Sequence, residues 1–143
     1  MKIRVVTIGK PKLPYAKAGW DEYLPRLQRL HQIEIRNISD KFAYDERKIL
    51  AELEGTTIVA LEIQGKAYTS EELAAFLSKR ELESKELSFI IGGPEGLPET
   101  VRQAAHYRWS LGRLTLPHDL AAVVLLEALY RASTINAHLP YHK

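Results

Sequence analysis

The chain has 143 residues, 45% of them apolar and 27% charged, which is the ordinary composition of a soluble protein with a single domain. It has no cysteine, which excludes disulfides, thiolate nucleophiles and cysteine-bound metal centres and is typical of the reducing cytoplasm. A net charge of +2 neither requires nor excludes nucleic acid, and the longest uncharged apolar run, residues 120–126, is far below the roughly 18 residues of a membrane span. We therefore expect a soluble cytoplasmic protein with one domain over residues 1–143.

The first half of the chain alternates between strand and helix patterns. The apolar run from Ile3 to Ile8 predicts a strand covered on both faces. Helical spacing from Trp20 to Leu30 predicts a helix, which Pro25 should kink or shorten because proline has no amide hydrogen. A second strand is expected over residues 33–38, followed by a short helix that begins near Asp45.

The middle of the chain continues this alternation. Residues 56–63 are rich in β-branched side chains and predict a third strand that ends at Gly65. Thr69 and Glu72 have the spacing of a capping box and predict the start of a third helix. A fourth strand is expected over residues 87–91.

The last third carries the candidate site. The fourth strand runs into a loop from Gly92 to Gly96, and Pro98 is placed to start the next helix. A possible fifth strand at residues 107–111 and a long apolar helix from about Asp119 to Ile135 complete the pattern. Such alternation predicts an α/β fold with a mainly parallel sheet sandwiched by helices. Ligands of such sheets bind beyond the carboxyl ends of the strands, near Leu61, Gly92 and Leu111.

Each of the two loops has a functional and a purely structural interpretation. The glycines of residues 92–96 allow the backbone to approach a ligand closely, but they match no phosphate-binding fingerprint and also suit a tight turn. The stretch 111–119, LGRLTLPHD, is able to hold an adenine through apolar side chains and backbone amides, or it is simply packed against the core.

Titratable and aromatic residues near the C-terminus are further candidates. His118 follows the second loop and precedes the long helix, so it is either a reactive imidazole or a helix-terminal residue. Tyr141, His142 and Lys143 combine a ring able to stack on a base with polar and cationic groups, although a solvated tail is the alternative. No histidine pattern typical of a metal site occurs, so we expect no metal. No serine-hydrolase elbow occurs either, so the sequence does not indicate a serine hydrolase.

Five ordered motifs of the sequence resemble the RlmH-type ribosomal RNA large subunit methyltransferases. They are LEIQGK at 61–66, FIIGGPEG at 89–96, WSLGRLTLPH at 109–118, LLEALYRA at 125–132 and PYHK at 140–143. The resemblance implies a SPOUT fold with a C-terminal trefoil knot and a homodimer in which the tail of one subunit completes the active site of the other. Composition and periodicity do not reveal such a knot.

The resemblance also implies a reaction and a set of site residues. The reaction is methylation by S-adenosylmethionine at N3 of a pseudouridine, position 1915 of 23S rRNA, on assembled ribosomes. The residues implied to line the cofactor site are Leu61, Gly92, Leu111, Gly112, Arg113, Leu114, Thr115 and Leu116. His118 is the candidate to assist loss of the N3 proton, with Tyr141 as the alternative. Arg131 and Lys143 would hold phosphates or stabilise charge on the base, with His142 beside them in the tail.

The sequence departs from the family at two positions, and two other functions are alternatives to methyl transfer. Gly112–Arg113 stands where relatives often have serine followed by a small or basic residue, which leaves the role of Arg113 open. Lys143 stands where many relatives have arginine, so a bidentate phosphate contact becomes a point-charge contact. The alternative functions are a ribosome-associated dimer without turnover and an α/β enzyme that binds a nucleotide phosphate at residues 92–96.

Overall fold

The computed structural model describes residues 1–143, in which five strands alternate with five α-helices. The elements are β1 (Lys2–Ile8), α1 (Pro14–Gln28), β2 (Gln32–Ile38), α2 (Glu46–Leu53), β3 (Thr57–Ala67), α3 (Ser70–Glu81), β4 (Leu87–Ile91), α4 (Glu99–Ala104), β5 (Tyr107–Ser110) and α5 (His118–Asn136). A single turn of 3-10 helix, Asp40–Phe42, lies between β2 and α2. The order of elements is the one that the sequence predicts.

The five strands form one sheet in the order β2-β1-β4-β3-β5, and every neighbouring pair is parallel. Parallel strands need crossover helices, which cover both faces of the sheet. One face carries α1, α3 and α5 over a core of 18 buried residues, and the other carries α2 and α4 over a core of 10. The predicted α/β fold with a parallel sheet is therefore confirmed.

The side chains of β1 point alternately into the two cores. Ile3 and Val5 point into the larger core, whereas Val6 and Ile8 point into the smaller one. Helix α5 is the central helix of the larger core, where Leu125, Leu126 and Leu129 have no exposed surface. Burying each leucine contributes about 1.5–3 kcal/mol to folding, so α5 is firmly held along its middle.

Several predicted boundaries are confirmed within a residue or two. The capping box at the start of α3 is complete: Thr69 Oγ1 accepts from the Glu72 amide at 3.0 Å, and Glu72 Oε1 accepts from the Thr69 amide at 2.8 Å. Strand β4 occupies residues 87–91 as predicted, and α5 begins at His118, one residue before the predicted start. Local sequence chemistry is sufficient at the start of α3 because its capping contacts lie within three residues.

Strand β3 ends later than predicted, and α1 ends at Gln28, before the helical spacing ends at Leu30. Helix α1 continues three residues beyond Pro25, because only one hydrogen bond near the end of the helix is lost there. Strand β3 does not end at Gly65 but continues to Ala67 after a register shift between Leu61 and Lys66. A Cβ atom on Gly65 would lie 2.7 Å from the carbonyl carbon of Arg108, so this glycine allows β3 and β5 to approach each other.

Candidate functional site

The three predicted ligand segments lie at one edge of the sheet. Leu61 ends the first paired segment of β3, Gly92 directly follows β4, and residues 111–116 directly follow β5. Strand β3 lies between β4 and β5 and is parallel to both, and Leu61 is paired with Trp109, two residues before Leu111. The residues predicted to line a cofactor site thus belong to three neighbouring strands and the loops that follow two of them.

The loop after β4 is a tight turn with a close internal contact. The Gly96 amide donates to the Gly93 carbonyl oxygen at 2.9 Å, and Gly96 has φ +85°. A Cβ atom on Gly92 would lie 2.7 Å from the carbonyl carbon of Gly96, so a side chain would displace the loop. The Tyr44 hydroxyl accepts a hydrogen bond from the Glu95 amide at 3.1 Å and ties the loop to the chain between β2 and α2.

The same loop is a poor phosphate site. Helix α4, which follows it, has only six residues, and Glu99 occupies its first turn. Glu95 is exposed in the turn itself. Two carboxylates beside the turn repel an anion, so the geometry does not favour the nucleotide-phosphate alternative.

The loop after β5 combines a hydrogen-bonded start with an exposed apolar tip. Ser110 Oγ donates to the Gly112 carbonyl at 2.9 Å and accepts from the Gly112 amide at 3.1 Å. Gly112 has φ +139°, and the space where its Cβ would lie is open. Leu111 and Leu116 pack against the larger core, whereas Leu114 is 79% exposed. Arg113 and Thr115 are exposed beside it, so half of the loop faces a space that a ligand is able to fill.

His118 opens α5 next to the loop after β4. The end of β1, Gly92, His118 and Asp119 line one small cavity. His118 Nε2 lies 3.4 Å from Asp119 Oδ1. This position places an imidazole beside Gly92, the first residue of the loop after β4.

Asp119 is a site residue that the sequence reasoning missed. Its Oδ2 accepts hydrogen bonds from the backbone amides of Lys12, at 2.8 Å, and Leu13, at 2.9 Å. Burial acts to raise the pKa of Asp119, but these amides, and then the charges of His118 and Lys12, outweigh it and hold the pKa below its ordinary value. The carboxylate therefore fixes the segment before α1 against the start of α5.

The C-terminal tail folds back onto the far end of α5. Tyr141 packs edge-on against Tyr130 with ring centroids 4.7 Å apart, and the guanidinium carbon of Arg131 lies 4.8 Å from the centroid of the Tyr141 ring. His142 Nδ1 is 3.2 Å from an Arg131 nitrogen, and its Nε2 is 2.7 Å from Glu71 Oε1. The structure brings together Arg131, Tyr141 and His142, and Lys143 is exposed beyond them.

The environment of Tyr141 bears on its proposed role as a proton acceptor. Its hydroxyl donates to Glu127 Oε1 at 3.2 Å. Burial, the neighbouring Tyr23 hydroxyl and the negative charge of Glu127 raise the pKa of Tyr141 above its ordinary value. A phenol that stays protonated is a hydrogen-bond donor, so this environment disfavours Tyr141 as the proton acceptor.

His118 and the tail are far apart within one chain. Both His118 and Arg131 belong to the single straight run of α5, from His118 to Asn136. At about 1.5 Å per residue, their separation along the helix axis is roughly 20 Å. One chain therefore does not bring all five predicted catalytic residues to one place.

The chain contains neither a cluster of metal-binding side chains nor a membrane-spanning helix. No group of three or more histidine, aspartate or glutamate side chains is arranged so that it could hold a metal ion. No helix has both the length and the apolar character required to cross a membrane.

Comparison with known proteins identifies the family. Residues 1–142 match the family model described as "Predicted SPOUT methyltransferase". The ribosomal RNA large subunit methyltransferase H of Deinococcus radiodurans is 45% identical over 145 residues, covering 100% of this chain and 99% of the relative. The protein of that name from Acinetobacter baylyi is 37% identical over 158 residues, with 100% and 99% covered.

A solved structure supports the fold. A probable methylase family protein from Haemophilus influenzae superposes with a TM-score of 0.58 over 99% of this chain and 70% of that chain, at 13% identity. At that identity the likeness concerns the fold alone, whereas the match of the family model spans nearly the whole sequence. The chain therefore belongs to the SPOUT methyltransferase family.

Proposed function

We propose that this protein transfers a methyl group from S-adenosylmethionine to N3 of a pseudouridine in 23S rRNA on assembled, cytoplasmic ribosomes, at a site shared between two subunits of a homodimer. One observation carries the proposal. In a chain of the SPOUT methyltransferase family, the predicted cofactor segments and His118 lie at one edge of the sheet, while the predicted RNA-facing tail lies at the far end of α5. The relatives named ribosomal RNA large subunit methyltransferase H support the choice of substrate. The trefoil knot stays a prediction.

The segments after β3, β4 and β5 fit S-adenosylmethionine in chemistry. Leu61, Leu111 and Leu116 offer half-buried apolar side chains that suit the faces of an adenine ring. Gly112 has open space in place of a side chain, and Leu114 is exposed for a ligand to cover. When bound, S-adenosylmethionine supplies an electrophilic methyl group, so the work of the protein is to position the nucleophile.

The roles of the remaining residues follow from their positions. N3 of the base is an imide nitrogen and must lose its proton to act as a nucleophile, and His118 accepts that proton directly or through a water molecule. Tyr141, held as a protonated phenol, offers its ring to stack on the base and its hydroxyl as a donor. Arg131 and Lys143 contact phosphate, which positions the RNA without reading its sequence.

The distance along α5 supports the proposal of a second subunit. His118 of one chain and the tail of the same chain lie at opposite halves of the helix, roughly 20 Å apart. An antiparallel arrangement of two α5 helices across a twofold axis places the tail of one subunit beside His118 of the other. The same symmetry creates two identical sites per dimer.

Two experiments test the proposal. Ribosomes that lack the modification are incubated with labelled S-adenosylmethionine and the purified protein, and label at N3 of a single pseudouridine in 23S rRNA is expected. Absence of label despite S-adenosylmethionine binding would instead favour a ribosome-associated dimer without turnover. Parallel titrations with S-adenosylmethionine and ATP test the cofactor, and binding of ATP alone would contradict the proposal.

A further inference from the structure

The carboxylate of Glu127 is the common partner of the two predicted RNA-facing residues, Arg131 and Tyr141. Glu127 Oε1 accepts a hydrogen bond from Arg131 Nε at 2.8 Å, lies 2.8 Å from Arg131 Nη2 in the same ion pair, and accepts from the Tyr141 hydroxyl at 3.2 Å. One oxygen atom thus binds a side chain of α5 and a side chain of the tail. The Glu127 and Arg131 side chains are only 26% and 30% exposed, so water screens this pair less than an ordinary surface pair.

We propose that Glu127 is a positioning residue of the methyl-transfer reaction, which holds Arg131 and Tyr141 in the arrangement that receives the RNA. This inference rests on the proposed function, because it assigns Arg131 and Tyr141 to the site. Glu127 itself does not touch the base or the methyl donor.

The contacts of Arg131 connect Glu127 to the rest of the C-terminal tail. Because Nε and Nη2 are bound to Glu127, the plane of the guanidinium is fixed, and Nη1 lies 3.2 Å from His142 Nδ1. His142 in turn contacts Glu71, on α3, through its other ring nitrogen. Glu127 is therefore the first member of a chain of polar contacts that ends at a second helix.

Removing the carboxylate leaves each partner with alternatives. Arg131 has several rotamers, and without Glu127 nothing else fixes Nε. The Tyr141 hydroxyl loses the Glu127 carboxylate and keeps only the neighbouring Tyr23 hydroxyl, while the ring keeps its edge-on contact with Tyr130. Residues 140–143 then sample more positions, whereas residues 137–139 keep their backbone hydrogen bonds to α5 and the core beneath α5 is unchanged because Glu127 is not part of it.

Three variants test the role. Glu127→Ala removes the acceptor, Glu127→Gln keeps a neutral oxygen for Tyr141, and Glu22→Ala is the matched control. Glu22 pairs with Arg26 four residues later on α1, at 2.6 Å, with the same spacing as Glu127 and Arg131 but without a hydrogen bond to the tail. For each variant the measurements are kcat and KM for ribosomes, the affinity for S-adenosylmethionine, and the ¹⁵N relaxation of the backbone amides of residues 137–143.

We expect Glu127→Ala to lower kcat by about 10- to 100-fold, the effect of losing hydrogen bonds to a charged group, with unchanged S-adenosylmethionine affinity and a mobile tail. Glu127→Gln retains more activity than Glu127→Ala, and Glu22→Ala matches the wild type in every measurement. A rigid tail or an unchanged kcat in Glu127→Ala would overturn the proposal, and so would loss of S-adenosylmethionine binding, which would make Glu127 a general structural residue. If the wild type transfers no label at all, the proposed function fails, and tail relaxation still decides whether Glu127 orders the tail.

Discussion

Replacing Asp119 tests whether its carboxylate holds the segment before α1 against the start of α5. In Asp119→Ala the amides of Lys12 and Leu13 lose a charged acceptor at 2.8 and 2.9 Å. Hydrogen bonds to charged groups contribute about 1.5–3 kcal/mol each. Because Lys12 and Leu13 are exposed, water is able to accept from their amides in the variant and recovers part of this energy. We expect a loss of about 2–4 kcal/mol in the free energy of unfolding, or roughly 5–15 °C in Tm for a chain of this size. Asp119→Asn keeps one neutral acceptor oxygen and loses about half as much.

The stabilisation by Asp119 depends on pH, because only the ionised carboxylate makes these charged hydrogen bonds. The pKa of Asp119 is lower in the folded protein than the 3.8 of an unperturbed aspartate, so the folded state binds the proton less readily than the unfolded state. The stabilisation is complete above about pH 4 to 5 and disappears as the pH falls through the lower folded pKa. The stability difference between the wild type and Asp119→Asn must therefore shrink on acidification below about pH 4.

Urea unfolding followed by circular dichroism, at one protein concentration from pH 7 to pH 3, measures this difference. Asp21→Asn, which changes an exposed carboxylate on α1, is the control for general charge effects. A difference between the wild type and Asp119→Asn that stays constant down to pH 3 would refute the assignment of these hydrogen bonds to an ionised Asp119.

Three other changes test the site. His118→Ala is expected to lower methyl transfer at least tenfold with nearly unchanged S-adenosylmethionine affinity by calorimetry, since loss of a general base costs about 10²–10⁴-fold; loss of cofactor binding would make His118 structural. Gly92→Ala places a Cβ 2.7 Å from the Gly96 carbonyl carbon, so calorimetry should show weaker S-adenosylmethionine binding, and wild-type affinity would show that the loop does not contact the cofactor. Deletion of residues 141–143 should abolish methyl transfer, while sedimentation still shows a folded dimer; full activity of the truncated protein would remove the tail from the site.

The sequence was sufficient for elements whose ends depend on near neighbours. The capping box of Thr69 and Glu72 predicts the start of α3 because all its contacts lie within three residues. The apolar run of β1 predicts a strand covered on both faces because each of its side chains meets one of two cores. Such signals need no knowledge of which strands are neighbours.

Features that depend on residues distant in the chain could not be predicted from local sequence patterns. Gly65 resembles a strand terminator until β5 is known to lie against it. Asp119 resembles an ordinary residue in the first turn of a helix, because its partners at Lys12 and Leu13 are more than 100 residues away in the chain. Residues 137–143 carry no periodicity, so only their contacts with α5 and α3 show that they are ordered.

The sequence predicts the positions of the candidate cofactor residues but not their chemistry. The positions of Leu61, Gly92 and Leu111 at one edge of the sheet follow from the order of strands and helices, but their chemistry does not, because apolar and glycine side chains have no distinctive reactivity. The resemblance to a methyltransferase family supplied that chemistry. The structure then added the contacts that hold Tyr141 and His142 against Arg131 at the far end of α5, which no linear pattern reveals.

The central claim, a site shared between two subunits, is tested most directly by mixing two inactive variants. His118→Ala keeps its tail, and the protein without residues 141–143 keeps His118, so a mixed dimer contains one intact shared site. After the two are unfolded and refolded together in equal amounts, half of the dimers are mixed and each has one working site of two, so methyl transfer should return to about a quarter of the wild-type rate. If His118 and the tail acted within the same chain, the mixture would stay inactive, and that result would contradict the account.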